Sequence, residues 1–249
     1  MSQSWIIKCK KQASDIRKEF GISPFSSIDI REILRDSGIN LIIEPVESDI
    51  SGFFLRNGQN EIVFINSAKS KGHQSFTGAH ELYHIRFDTE LNGRACKVGQ
   101  FDERSPSEFK ADMFAANLLA PDEAVLFQIN RMESNITNLN INDVIELGQH
   151  FNISHHAMLN RLKQMQILSN HRAQELKPGV IKQALKIGKD ISLYLPTNEK
   201  KIISDYAEKA LVALEKGLIS DAKYEELLLE AGLADVLFGD FDMIEEENE

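Results

Sequence analysis

Cysteine is almost absent: Cys9 and Cys96 are the two in 249 residues. Two thiols so far apart exclude a disulfide framework and a cysteine-rich zinc module, and they fit a reducing compartment. Long apolar runs are missing too, and no stretch approaches the ~18–20 residues a membrane-spanning helix needs. Trp5-Ile6-Ile7 runs straight into Lys8-Cys9-Lys10-Lys11, without the apolar core of a signal peptide. These readings lead to the expectation of a cytoplasmic protein. Positive charge is in deficit, with 28 Lys and Arg against 38 Asp and Glu. The resulting formal charge of −10 argues against a chain whose main task is to grip phosphates. Much of the excess acid sits in residues 240–249, where Asp240, Asp242, Glu245, Glu246, Glu247 and Glu249 read as a solvated, disordered tail. No internal repeat and no other biased tract occurs.

What remains has ordinary globular composition, long enough for one large domain or a medium domain with a smaller module. The first twenty residues read as a helix broken at Gly21 and Pro24, and a short helix over 28–36 stops at Gly38. Leu41-Ile42-Ile43 is strand-like. Two further strand runs, 52–56 and 61–65, flank Asn57-Gly58, a strong hairpin signal. From about His73 the period turns helical, with Phe76, Ala79, His80, Tyr83, His84 and Phe87 on one stripe. Residues 88–104 look like a linker of mixed character. Helices follow from Ser105 to Ala120, where Pro121 interrupts, and over 122–131, 142–150 and 154–165. Pro178-Gly179 is the clearest boundary candidate, with helical patterns over 199–216 and 221–231 beyond it. The expected class is α+β, mostly helical, with a small three-stranded sheet. The expected division is a main domain over 1–172, a helical C-terminal module over 173–239, and the tail.

The segment His80-Glu81-Leu82-Tyr83-His84 carries the chemistry. Histidines four apart on a helix stand one above the other, so two imidazoles can reach one ion at about 2.0–2.1 Å. Glu81 lies about 100° around the helix. It sits beside such an ion without ligating it and can take a proton from a water whose pKa the ion lowers. A chance match on a helix face is the competing reading. The apolar stripe weighs against it, because buried imidazoles need partners and a shared metal supplies one for each. A catalytic zinc ordinarily has three protein ligands and one open position. Glu108 is the candidate third ligand, but Ser105-Pro106-Ser107-Glu108 also reads as a capping box in which Glu108 bonds the Ser105 amide. Asp112, one turn further on, is either a carboxylate holding the free nitrogen of a ligating histidine or an ordinary helix acid.

These two helices resemble the ImmA/IrrE metallopeptidases. The carrying residues are Phe76-Thr77-Gly78-Ala79-His80-Glu81-Leu82-Tyr83-His84 and Glu108-Phe109-Lys110-Ala111-Asp112-Met113-Phe114-Ala115-Ala116-Asn117-Leu118-Leu119-Ala120-Pro121. They match the paired patterns FTxAHELGH and ExxAxxFAxxLLxP, and the likeness spans roughly 28–168. It implies a gluzincin-like zinc peptidase core with one zinc ion per chain. His80, His84 and Glu108 match its ligands and Glu81 its general base. It also implies cleavage of a co-encoded helix-turn-helix repressor, releasing stress-response or mobile-element genes. Tyr83 departs from the pattern, standing where glycine is usual. It could fill core space, line the cleft or donate a hydrogen bond to an oxyanion.

The expected activity is therefore zinc-dependent endopeptidase, with an extended substrate adding to the sheet along 52–56 or 61–65. The alternative is a non-proteolytic zinc protein that sequesters a repressor or toxin. A third reading makes 143–150 and 154–165 a DNA-binding helix-turn-helix. That helix offers few cations beyond Arg161 and Lys163, so a structural helix pair is preferred and direct DNA binding is not expected. His73, His150, His155, His156 and His171 receive no role.

Overall fold

A computed structural model describes residues 3–58, 60–89, 92–101 and 105–230, and the acidic tail at 240–249 lies outside them. Among the described residues the chain divides into two compact units, one ending at Ile203 and one beginning at Ser204. The class is α+β. No described helix is long and apolar enough to cross a membrane.

The first unit opens with α1 (Gln3–Glu19) and α2 (Ile30–Asp36), the latter capped by the Asp29 carboxylate accepting from the Arg31 amide. Three strands follow: β1 (Asn40–Glu44), β2 (Gly52–Asn57) and β3 (Asn60–Asn66). β2 and β3 are the antiparallel pair that Asn57-Gly58 signals, with Gly58 at φ 63°, and β1 runs parallel to β3. Among the described residues the sheet has five strands and not three, because β4 (Gly93–Cys96) and β5 (Lys201–Ile203) join it in the order β4-β2-β3-β1-β5. A four-residue strand is too short to show a period, so β4 was hidden in the apparent linker. β5 falls inside a segment that reads as helix. Ile202 and Ile203 instead pair antiparallel with Ile42 and Leu41, a long-range partnership that local pattern does not encode. The order also corrects the expected docking edge: β2 and β3 are both inner strands.

Helix α3 (Lys71–Phe87) lies on β2 and β3, and α4 (Pro106–Leu119) packs between α3 and α1. From Phe76 to Ile85 every residue of α3 is buried, so the helix is enclosed on all sides and not on one stripe alone. Small residues allow this. A Cβ on Gly52 would stand 2.5 Å from both the Phe64 carbonyl oxygen and Thr77 Cγ2, and one on Gly72 would stand 2.5 Å from the Ser154 amide nitrogen. The end of α4 is fixed by two buried arginines. Arg17 donates to the Leu118 and Leu119 carbonyls and Arg161 to the Ala120 carbonyl. They satisfy acceptors that Pro121 strands by ending the helix.

Helices α5 (Asp122–Arg131), α6 (Ile141–Phe151), α7 (His155–Gln164), α8 (Asn170–Glu175) and α9 (Val180–Lys186) complete the first unit with β5. The Pro178-Gly179 turn therefore lies inside this unit. In the second unit α10 (Tyr206–Glu215) packs on α11 (Asp221–Glu230).

Candidate metal centre

α3 delivers His80 and His84, which are 1% and 0% exposed. Their ring centroids are 4.9 Å apart and their Nε2 atoms 3.1 Å apart. Each Nδ1 faces a carboxylate, His80 on Asp112 Oδ1 at 2.8 Å and His84 on Asp88 Oδ2 at 3.2 Å. This network assigns a proton to each Nδ1 and turns two bare Nε2 lone pairs toward each other. Glu108 adds two more acceptors, with Oε2 3.3 Å from His80 Nε2 and Oε1 3.4 Å from His84 Nε2. Arg94 Nε also stands 3.3 Å from Glu108 Oε1 at the outer side of the group, and the two imidazoles and the carboxylate converge within reach of one cation. A tetrahedral ion bound at about 2.0–2.3 Å keeps its donor atoms about 3.3–3.8 Å apart, and the separations of 3.1, 3.3 and 3.4 Å lie at or just below the short end of that range.

Without that cation the charges compensate among themselves. Burial pushes the His80 pKa down, but hydrogen bonds with Asp112, Cys96 and Glu108 outweigh it and hold it well above the usual range. For Glu108 burial raises the carboxyl, and hydrogen bonds to His80 and His84 outweigh that and hold it well below. Glu81 is fully buried; neither oxygen has an N–H or O–H partner, and the Cys96 thiol is the weak group that interacts with its carboxyl. Burial lifts it to about 8, with His80 opposing and the Glu108 charge adding to the rise.

The residues singled out in the sequence divide clearly. His80, His84 and Glu108 come together and Glu81 stands beside them. The capping box is not formed, because the Ser105 side chain makes no capping bond and the Glu108 carboxylate faces the histidines. Asp112 is the partner of His80 and also accepts from the Gly99 and Phe101 amides at 2.8 and 2.7 Å. Tyr83 lies in the core: 5% exposed, it packs on Phe87 and Phe114. Its ring also lies edge-on to His84, with centroids 5.8 Å apart, so position 83 joins the aromatic seam with α4 to the donor group. Arg161 is 1% exposed and its guanidinium is taken up by Ala120, Asn117 and Asp122.

Sequence reasoning missed two residues. Asp88 is four positions after His84 and continues the helical spacing, a signal that was available; it also accepts from the Ser107 hydroxyl. Cys96 gave no signal at all. It is 1% exposed, and its sulfur joins His80, His84 and Glu108 in a group whose donor atoms all lie within 4.8 Å of one another. Burial pushes its thiol up to about 12, with His80 opposing. A cavity of about 210 Å³ bordered by Arg94, Lys97, Gln100, Glu108 and Asp112 opens onto this group.

Comparison with known proteins agrees with this geometry. Over 104 residues the chain is 27% identical to a Bacillus phage phi105 protein named "Uncharacterized immunity region protein 2". That alignment covers 42% of this chain and spans 66% of the relative's own length. The family model for peptidase M78, the IrrE N-terminal-like domain, matches residues 34–163. Those residues take in the sheet from β1 to β4, both donor-bearing helices and the α6–α7 pair, just over half of the chain, and it belongs to this ImmA/IrrE family of metallopeptidases.

Proposed function

We propose that the protein is a zinc-dependent endopeptidase that cleaves a helix-turn-helix repressor encoded beside it. The observation that carries the reading is Glu81: a fully buried carboxyl with no N–H or O–H partner, beside the weak Cys96 thiol and next to three converging donors. Such a group costs several kcal/mol of stability unless a ligand compensates it. A general base waiting for water and a cation explains that expense. The repressor as substrate rests on the family resemblance, and the immunity-region name of the phage relative agrees with it.

In this reading His80, His84 and Glu108 hold the ion, and Asp112 and Asp88 fix the two imidazole tautomers. When bound, the ion supplies a Lewis acid for the scissile carbonyl and for water, and its charge favours the ionised form of Glu81. Glu81 takes the proton of the attacking water and hands it to the leaving amine. Its walls of Thr77, Gly52 and the sheet exclude bulk solvent from that transfer. The test is co-expression with the neighbouring regulator, wild type against Glu81→Gln, followed by mass spectrometry. Glu81→Gln is expected to keep its metal and to leave the regulator whole; normal cleavage by this variant would overturn the mechanism.

A non-proteolytic sequestering protein remains a second reading because one observation favours it. With Cys96 the donors number four, and closed four-donor sites are characteristic of structural metals. Stoichiometric binding of an intact regulator, unchanged by Glu81→Gln, would select it.

A further inference from the structure

Cys96 has no place in the three-donor site, yet its thiol is delivered to it. β4 is an edge strand whose Gly93, Arg94 and Ala95 are exposed and whose Cys96 is buried. Cys96 pairs with Gly52, whose own missing side chain makes room for Thr77 and Glu81. The Cys96 sulfur lies 3.9 Å from Glu108 Oε1 and 3.8 Å from the Arg94 carbonyl, and it also interacts with His80 and Glu81, so the thiol sits among the donors of the site. The backbone after it is stapled in place. The Ser51 amide donates to the Cys96 carbonyl at 3.0 Å, the Val98 amide donates to the Ser51 hydroxyl at 3.4 Å, and His73 holds that same hydroxyl at 2.8 Å. A strand with little apolar anchorage is thus positioned by polar contacts that present one soft donor to the ion site.

We infer that Cys96 is the fourth ligand of the metal centre, carried on β4 as a latch that closes the position a substrate carbonyl and water need. The inference rests on the metal site proposed above and goes beyond it: the resting site is a closed Cys-His-His-Glu site, and it opens when the Cys96 end of β4 withdraws. On coordination the S–H bond gives its proton to solvent and the sulfur pair goes to the ion, with no redox step. β4 also covers the side of β2 on which an extended peptide would otherwise pair. One displacement therefore frees both the fourth coordination position and the sheet edge.

The experiment is titration of the full-length metal-free chain with Co²⁺, followed by absorption. The wild type and Cys9→Ser are expected to take up one ion with a thiolate-to-cobalt charge-transfer band in the near ultraviolet. Cys96→Ser and Cys96→Ala are expected to take up one ion without that band, with Kd weaker by about tenfold or more in chelator competition. Acetohydroxamate is expected to bind the Co²⁺ form of Cys96→Ala at least about tenfold more tightly than the wild type, because no thiolate has to be displaced. Circular dichroism confirms that each variant is folded. One equivalent of Co²⁺ in the wild type without the charge-transfer band overturns Cys96 as a ligand while leaving the metallopeptidase reading intact. Equal acetohydroxamate affinity in wild type and Cys96→Ala overturns the latch. Failure of wild type and variants alike to bind Co²⁺ overturns the metal site itself, and this inference with it.

Discussion

A ligating imidazole is only as well placed as the group that holds its other nitrogen. Asp112 serves His80 in this way, and it also satisfies two amides of the segment after β4, so three donors converge on one carboxylate. Asp112→Asn removes one acceptor and turns an N–H₂ toward a donor. We expect zinc affinity to fall by about 10–100-fold, measured by competition with a chromophoric chelator, while the far-ultraviolet spectrum is kept. An unchanged affinity would reduce Asp112 to a loop anchor. Its role was undecided in the sequence because spacing alone does not separate a helix acid from a histidine partner. Glu108 posed the same difficulty, since a capping box and a ligand draw on one residue type at one position. The family pattern favoured the ligand, and the side chain in space faces the histidines.

At the scale of the element, α3 is held by how closely the backbone of its neighbours approaches. Gly52 meets a carbonyl oxygen and the Thr77 methyl at distances real Cβ atoms do not show, and neither neighbour is the tip of a flexible chain. Gly52→Ala is expected to cost about 2–4 kcal/mol in urea unfolding and to displace Glu81 from its pocket. Gly78 is the control. Its Cβ would stand 3.0–3.3 Å from Ile30 and Ile65 side-chain atoms, which can give way, so Gly78→Ala is expected to cost about 1 kcal/mol or less. Equal costs for the two would refute this account of the packing. The helices themselves were legible because their periods are long and their stops are Gly and Pro. β4 and β5 were not, because strands of four and three residues are defined by their partners.

For the whole molecule, the sequence places a module boundary at 172/173, whereas the compact unit runs to Ile203. Residues 173–203 are bound into it by several ties. The Glu199 carbonyl accepts from the Ser67 hydroxyl, the Lys71 amide donates to the Leu195 carbonyl, the Gln149 side chain donates to the Asp190 carbonyl, Arg31 pairs with Glu199, and β5 lies on β1. We propose that the peptidase module extends to about residue 203. A chain ending after Asp205 is expected to stay monodisperse and to bind one Co²⁺. A chain ending after Arg172 is expected to lose several °C in Tm or to aggregate, having exposed the open side of β1. If the shorter chain is as stable as the longer one, the boundary belongs at 172/173.

The sequence by itself determined what depends on local spacing: the helices of the core, the β2–β3 hairpin, and the presence of His80, Glu81 and His84 at intervals that put them around one point. It also determined, through a two-part pattern, which second helix supplies Glu108. Tertiary structure alone decided what depends on approach in space. It placed Tyr83 in the aromatic core, joined Asp112 to His80, turned Arg161 inward, covered β2 with an edge strand and brought Cys96 to the donors. The physical reason is that helix periodicity repeats within a few residues and is written in the chain. The donor group is instead a meeting of side chains from α3, β4 and α4, and no local pattern records where their lone pairs converge.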